Sequence, residues 1–238
     1  MTSASVPSRA AEPGVAGEAA SAHQPFVRED HIPAGYSPWR HMRRTLAIAG
    51  LLSAAGVALA WRARPLDWAL APGFLVVANL VEYLVHRYPM HRPLWPRIVY
   101  RNHAQLHHMA FTDQEMTIDR PVELGLIMMP WYTMIGLFVV ASPVLLLAAA
   151  LRGPGLAGLF LLAGVAYFIG YEVLHASYHL PDASLERAGL ARRWLFRALR
   201  AHHRHHHILR RMAHVNFNVT FPLMDHLLGT AERDEAAG

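Results

Sequence analysis

Long apolar stretches alternate with short polar ones along most of the chain. Four apolar segments run roughly over residues 46–61, 70–85, 122–151 and 156–174, whereas a membrane-spanning helix needs about 20 apolar residues. Short connections, RARPLD after the first segment and RGPG after the third, join the segments in pairs. The pattern predicts an all-α integral membrane protein with about four transmembrane helices in two hairpins. A soluble protein with buried helices is the alternative.

The third apolar segment, residues 122–151, is long for a single span and contains Pro130 and Pro143. Proline lacks a backbone donor, so it bends or ends a helix. We therefore expect either one kinked span or a span plus a re-entrant segment.

The two ends of the chain differ from this central part. Residues 1–38 are rich in Ala, Ser, Gly, Pro and Glu and show little periodicity, which predicts a disordered N-terminal tail. Residues 39–230 form the predicted membrane domain, and residues 231–238 a C-terminal tail. Residues 43–61 imitate an export signal, but they lie far from residue 1 and further apolar segments follow, so we interpret them as a span.

The charges are unusual because all 22 basic residues are arginine. A basic chain can bind nucleic acid, but these arginines flank apolar spans instead of forming one polar face, so no nucleic-acid partner is expected. They concentrate before the first segment, between the second and third, and after the fourth. The positive-inside rule then places both termini and the middle loop in the cytoplasm, and a bacterial inner membrane is the expected location.

Ten of the 17 histidines fall into four groups. The candidate metal ligands are His86 and His91; His103, His107 and His108; His175 and His179; and His203, His206 and His207. Two groups follow the second apolar segment and two follow the fourth. Because two segments lie between these pairs of groups, all four are predicted at the same membrane face, in a helical cap on the cytoplasmic side.

The spacing of these histidines favours helix faces, because residues three and four apart lie on the same side of a helix. Pro89 is expected to break the helix between His86 and His91. His202 and His205 fall off the common face and are predicted not to be ligands.

Ten clustered imidazoles predict a metal centre. Imidazole suits iron, zinc, copper and nickel, and the chain has no cysteine to add thiolates. Ten donors exceed the four of a structural zinc site, so we expect two metals with about five histidines each and open positions for oxygen or water. The alternative is a histidine-rich membrane metal-binding or transport protein, although transporters usually place their ligands within the bilayer.

Two carboxylates precede the predicted ligands. Glu82 lies four residues before His86, and Glu172 lies three residues before His175. Ionisable residues in apolar helices are costly, and metal-bound histidines often donate their second N–H to a carboxylate. Both are therefore predicted to orient ligands, the alternative being an ion pair with an arginine such as Arg87. Asp225 is predicted to cap a helix that begins at HLLGT.

The four blocks HX4H, HX3HH, HX3H and HX2HH, two after each hairpin, resemble the fatty acid hydroxylase/sterol desaturase superfamily of membrane di-iron oxygenases. The ending HHILRRMAHVNFNVTFPLMDHLLGT, residues 206–230, is similar to the closing segment of that family. The resemblance covers roughly residues 45–230.

The resemblance implies that the ten histidines hold two iron ions, with O2 as co-substrate. Zinc can replace iron in purified protein. It implies hydroxylation of an unactivated C–H bond in a fatty acyl or sterol-like lipid; desaturation and an isoprenoid or carotenoid substrate stay open. Asn216 or Asn218 would contact a metal-bound water. Because no haem-binding motif is present in the tail, a separate electron donor is expected, either a ferredoxin, a cytochrome or a reductase.

Overall fold

The computed structural model describes residues 26–232. Within this range the chain is helical and contains no β-strand, which confirms the all-α prediction. The α-helices in chain order are α1 (Pro38–Ala60), α2 (Pro65–Val85), α3 (Arg97–Tyr100), α4 (His108–Ala110), α5 (Thr133–Arg152), α6 (Pro154–Tyr178), α7 (Asp182–Arg187), α8 (Trp194–His206) and α9 (Leu223–Leu227). Two π-helical segments, His86–Met90 and Arg101–His107, extend α2 and join α3 to α4.

Most of the predicted N-terminal tail, residues 1–25, lies outside the described residues, as does most of the C-terminal tail. The described part of the N-terminal tail differs from the prediction. It contains a 3-10 helix, Arg28–His31, and the Arg28 side chain donates hydrogen bonds to the backbone carbonyls of Ala110 and Thr117.

Among residues 26–232, four helices are long and apolar enough to cross a membrane: α1, α2 with its π-helical extension, α5 and α6. Their starts follow from local sequence, since proline occupies the first turn of α1, α2 and α6, where the missing N–H costs nothing. Gly153 has a φ of 91° and reverses the chain between α5 and α6. The four apolar helices indicate an integral membrane protein.

Helix α6 is the central span, and α1, α2 and α5 pack against it. Glycines bring α1 and α6 into backbone contact. A Cβ atom on Gly158 would lie 2.4 Å from the backbone nitrogen of Ala60, and one on Gly155 would lie 2.5 Å from the Cα atom of Ala63. Both distances are too short for any side chain, so this helix pair requires glycine.

The third apolar segment is not one span. Its start forms a 3-10 helix, Pro121–Leu126, and the span α5 begins only at Thr133. Pro130 lies in the connection between this 3-10 helix and α5. Proline has no backbone N–H, so α5 does not extend back through this residue. Pro143, by contrast, lies inside α5. The prediction of a single kinked span over residues 122–151 was therefore wrong. Leu126, near the start of this segment, packs in a core cluster around Phe111.

Residues 86–126 and 179–232 fold together beyond the ends of α2 and α6, and we call this part the cap. Apolar cores hold it together. Tyr178, Leu185 and Phe196 join the end of α6 to α7 and α8, and Tyr83 packs on Phe217 at the end of α2.

Candidate metal centre

The ten histidines selected from the sequence gather into two buried groups. Site A contains His86, His91, His103, His108 and His206, and site B contains His107, His175, His179, His203 and His207. Within each group the candidate ligand atoms all lie within 4.8 Å of one another. Each group could hold a metal ion, and both take members from the π-helical stretch around Arg101–His107 and from the end of α8.

The local helix type divides the histidines between the sites. Site A uses two pairs that are five residues apart, His86 with His91 and His103 with His108. Both pairs coincide with the π-helical segments, where the wider turn places residues five apart one above the other. The helix therefore does not break at Pro89, as the sequence suggested, but widens through it.

Site B uses the ordinary α-helical spacing. His175 and His179 are four residues apart at the end of α6, and His203 and His207 are four apart at the end of α8. His107 completes the set. Adjacent residues thus serve different sites, as His107 and His108 do.

The distances between ring nitrogens fit a common metal ion. In site A, the Nε2 atom of His103 lies 2.8 Å from that of His86 and 3.1 Å from that of His108. In site B, the Nε2 atom of His203 lies 3.3 Å from that of His179 and 3.0 Å from that of His207. Imidazole nitrogens about 2.1 Å from a metal and at right angles to each other are about 3.0 Å apart. The donor set therefore fits the ions that the resemblance implies.

Backbone carbonyls fix the orientation of half of the rings. The Nδ1–H groups donate to carbonyl oxygens in the pairs His86–Phe217, His107–Leu126, His179–Met116, His206–Val215 and His207–Phe111. Since the proton is then on Nδ1, the lone pair of Nε2 is free to bind a metal.

The electrostatics of the cap keep the imidazoles neutral. Burial, followed by the neighbouring histidines, lowers the pKa of His91 to about 2. Burial also lowers the pKa of His207 to about 4, despite its bond to the carbonyl of Phe111. For His103, burial and its neighbours lower the pKa well below the ordinary value. Neutral imidazole is the form that binds metals.

Glu82 contacts the closing segment, which we define as residues 215–220. Its carboxylate accepts hydrogen bonds from the backbone N–H groups of Val219 at 2.5 Å and Thr220 at 3.1 Å, and from the Tyr167 hydroxyl. It also accepts from the Thr220 hydroxyl at 2.6 Å. The expected partners were a ligand histidine or Arg87, whereas Arg87 bonds to the Tyr83 hydroxyl. Glu82 therefore holds backbone groups of the closing segment.

The two candidate asparagines bind backbone groups of the same region. Asn216, which has a φ of 56°, donates to the carbonyls of His202 and Glu232. The Asn218 amide donates to the carbonyl of Asn79 and accepts from the backbone N–H of Met224. Both side chains hold the closing segment in place.

Asp225 corrects a prediction. It does not begin a helix but lies within α9, and its carboxylate accepts from the N–H groups of Phe217 at 2.9 Å and Asn218 at 2.7 Å. Burial raises its pKa, but hydrogen bonds from His202, the closing segment and Thr230 outweigh this and leave the pKa below its ordinary value. His202 thus contacts Asp225, and His205 contacts Glu232, so both lie outside the sites as expected.

An apolar cavity of about 380 Å³ lies between α2, α5 and α6. Phe74, Val81, Phe138 and Phe168 contribute to its walls, and His86 of site A is part of its lining. The sequence analysis did not identify this cavity, because its walls come from three spans whose relative placement the apolar pattern leaves open.

Comparison with known proteins agrees with the geometry. A family model described as fatty acid hydroxylase matches residues 71–230, a range that includes all ten histidines of the two sites. No curated protein and no solved structure matches the chain significantly. Because the family model covers more than half of the chain, the protein belongs to the fatty acid hydroxylase family, within the fatty acid hydroxylase/sterol desaturase superfamily.

Proposed function

We propose that this protein is a membrane di-iron oxygenase that uses O2 to hydroxylate an unactivated C–H bond of a fatty acyl or sterol-like lipid. One observation carries the proposal: an apolar cavity within the spans includes His86, a member of site A, in its lining. A lipid chain in this cavity would present its C–H bonds beside the metal centre.

The histidines of sites A and B would hold one iron ion each. When bound, the two ions supply the activation of O2, which the side chains of the protein cannot supply themselves. The overall reaction consumes one O2, two electrons and two protons, and converts R–H into R–OH and water. Zinc in purified protein would occupy the same nitrogens without redox chemistry.

The protein contributes the position of the substrate and the exclusion of water. Most of the cavity lining is aliphatic and aromatic, and the cavity volume is in the range of small-molecule sites. Val140 and Val144 belong to the lining and are also exposed on the outside of the bundle. A lipid could therefore enter the cavity from the side of the spans.

The electrons would come from a separate donor, a ferredoxin, a cytochrome or a reductase. The arginine distribution supports placing the cap, and with it the site, at the cytoplasmic membrane face, where such donors are found.

Lipid analysis together with metal analysis tests the proposal. Cells expressing the wild type are compared with cells expressing His206→Ala, which removes a donor from site A, and His203→Ala, which removes one from site B. His205→Ala is the matched control, because this residue lies on the same helix and belongs to neither site.

We expect the wild type and His205→Ala to bind two iron ions per chain and to produce a lipid with one additional oxygen atom. Both site variants should lose that product and part of the metal. A product lacking two hydrogens would instead identify a desaturase. Wild-type protein that binds neither iron nor zinc after reconstitution would refute the metal centre.

A further inference from the structure

Four buried polar atoms near the start of α1 are without a partner in residues 26–232. They are the Tyr36 hydroxyl, Nε2 of His41, Oγ1 of Thr45 and Oε2 of Glu172. Leaving one such group without a hydrogen bond is destabilising, and buried polar groups are nearly always paired with protein or with water. Four of them in one region require an explanation.

These atoms share one region between α1 and α6. The rings of Tyr36 and His41 are 5.7 Å apart and packed edge to face. Thr45 lies one turn beyond His41 on α1, and so on the same face. Ala49, one further turn along α1, packs in one core cluster with Phe168 of α6, which lies one turn before Glu172. Burial, and then the charge of Glu172, raise the pKa of Tyr36 to about 12.

The Met129 backbone joins the two sides of this region. Its N–H donates to Oε1 of Glu172 at 3.2 Å, and the same backbone lies beside the His41 ring. Glu172 therefore uses one carboxylate oxygen on Met129, whereas its Oε2 atom and the Nε2 atom of His41 stay unpaired. We call the space around these atoms the polar pocket.

The polar pocket is separate from the apolar cavity and close to site B. Met129 contributes to the lining of the apolar cavity, which does not include Tyr36, His41 or Glu172. On the inner side, Glu172 lies one helical turn before His175 of site B. On the outer side, Tyr36 is only half-buried and is preceded by the exposed Gly35.

We propose that water molecules fill the polar pocket and that it conducts the protons consumed at the metal centre, from Tyr36 at the outer end to Glu172 at the inner end. The inference rests on the proposed hydroxylation, which takes up two protons for each O2. The apolar cavity is not suited to this purpose, because Glu82 and Tyr167 in its lining are already bonded to each other, and Glu82 also accepts from the closing segment. Water with two to four polar partners is stable in a buried site, and the four unpaired atoms provide them.

Glu172→Gln tests the role of the pocket. The amide keeps the shape and an acceptor for Met129, but it cannot carry a proton. Glu123→Gln is the matched control, because that carboxylate is equally buried but paired with Arg28 at 3.1 Å.

We expect iron-loaded Glu172→Gln to keep its metal content and Tm. Its kcat should fall about 100-fold, the scale of a lost proton-transfer group, with unchanged KM and a larger solvent deuterium isotope effect. Glu123→Gln should keep the wild-type kcat and isotope effect. Wild-type turnover by metal-loaded Glu172→Gln would overturn the proton path, as would a lower kcat without a change in isotope effect.

Hydroxyl-radical labelling of the metal-free protein in ¹⁸O-water tests the hydration separately. We expect ¹⁸O at the buried His41, and none at Tyr178, which is also buried but has its hydroxyl bonded to the carbonyl of Val219. An unlabelled His41 would show a dry pocket and refute the proposal. If the wild type formed no oxygenated lipid, the proposed function and the proton role would both fail, whereas the labelling would still report whether the pocket holds water.

Discussion

The carboxylate of Glu82 on α2 accepts a hydrogen bond of 2.5 Å from the backbone N–H of Val219, although the two residues are 137 positions apart. Two residues before Val219, the carbonyl of Phe217 accepts a hydrogen bond from Nδ1 of His86. A buried carboxylate in a span therefore holds the segment that orients a ring of site A. Contacts of this kind around metal ligands set the direction of the ligand and its affinity.

Glu82→Gln should weaken metal binding. The amide replaces one acceptor oxygen by a donor, so at least one hydrogen bond to the closing segment is lost and the carbonyl of Phe217 is less well fixed. We expect a loss of about 10- to 100-fold in metal affinity, measured by competition with a chelator.

Tyr167→Phe is the control for this variant, because it removes one donor to the same carboxylate and leaves the Val219 contact intact. Its loss of affinity should be smaller. Equal metal affinity of Glu82→Gln and the wild type would show that the closing segment does not act on site A.

Gly158→Ala should separate α1 from α6. The added methyl group would meet the backbone nitrogen of Ala60 at 2.4 Å and the carbonyl oxygen of Gly56 at 2.6 Å, and backbone atoms cannot move aside as a side chain can. We expect a loss of about 1–3 kcal/mol in the free energy of unfolding, measured by denaturation in detergent.

Gly170→Ala on the same helix provides the comparison, since a Cβ atom there meets nothing within 4 Å. Alanine in a helix is favoured over glycine by roughly 0.5–1 kcal/mol, so this variant should be as stable as the wild type or more stable. If both variants lost a similar amount of unfolding free energy, helix α6 would be sensitive to substitution in general. The loss in Gly158→Ala could then not be assigned to its contact with α1.

The sequence was sufficient to predict the spans and the ten histidines, because both depend on local signals. Apolar length indicates a span, and the clustering of an unusual residue type indicates residues that could hold a metal. The start of the third apolar segment was wrongly assigned to a span. Its residues Leu124 and Leu126 are apolar because they pack inside the cap, and not because they cross the membrane.

The division of the histidines into two sites could not be predicted. It depends on whether the chain is π- or α-helical at His86 and His103, and residues five apart share a face only in the first case. The roles of Glu82 and Asp225 were likewise hidden, because their partners are backbone groups of a distant irregular segment. Side-chain spacing carries no information on such contacts.

Ala78→Phe should shorten the lipid that the protein accepts. Ala78 lies in the cavity lining, so a phenyl ring at this position would occupy part of the 380 Å³. We expect the products to shift towards shorter chains, measured by mass spectrometry of the oxygenated lipids. Val76→Phe is the matched control, because Val76 is exposed on the same helix and is not part of the lining. An unchanged product profile with Ala78→Phe would place the substrate elsewhere.

Pro89→Ala tests whether the π-helical turn divides the histidines. Pro89 lies inside the segment His86–Met90, and proline both lacks an N–H and crowds the carbonyl four residues before it, which favours a wider turn. With alanine, ordinary α-helical hydrogen bonds become possible, and His91 would rotate away from His86 by more than a quarter of a turn. Metal content should then fall from two ions per chain towards one, with site B retained.

Pro143→Ala is the control for Pro89→Ala, because Pro143 also lies inside a helix but belongs to α5, away from both sites. This variant should keep both ions. If Pro89→Ala also kept both, the contacts of the His86 and His91 rings within site A would be sufficient to hold the π-helical turn. The pairing of histidines five residues apart would then result from the metal centre and the cap instead of from the proline.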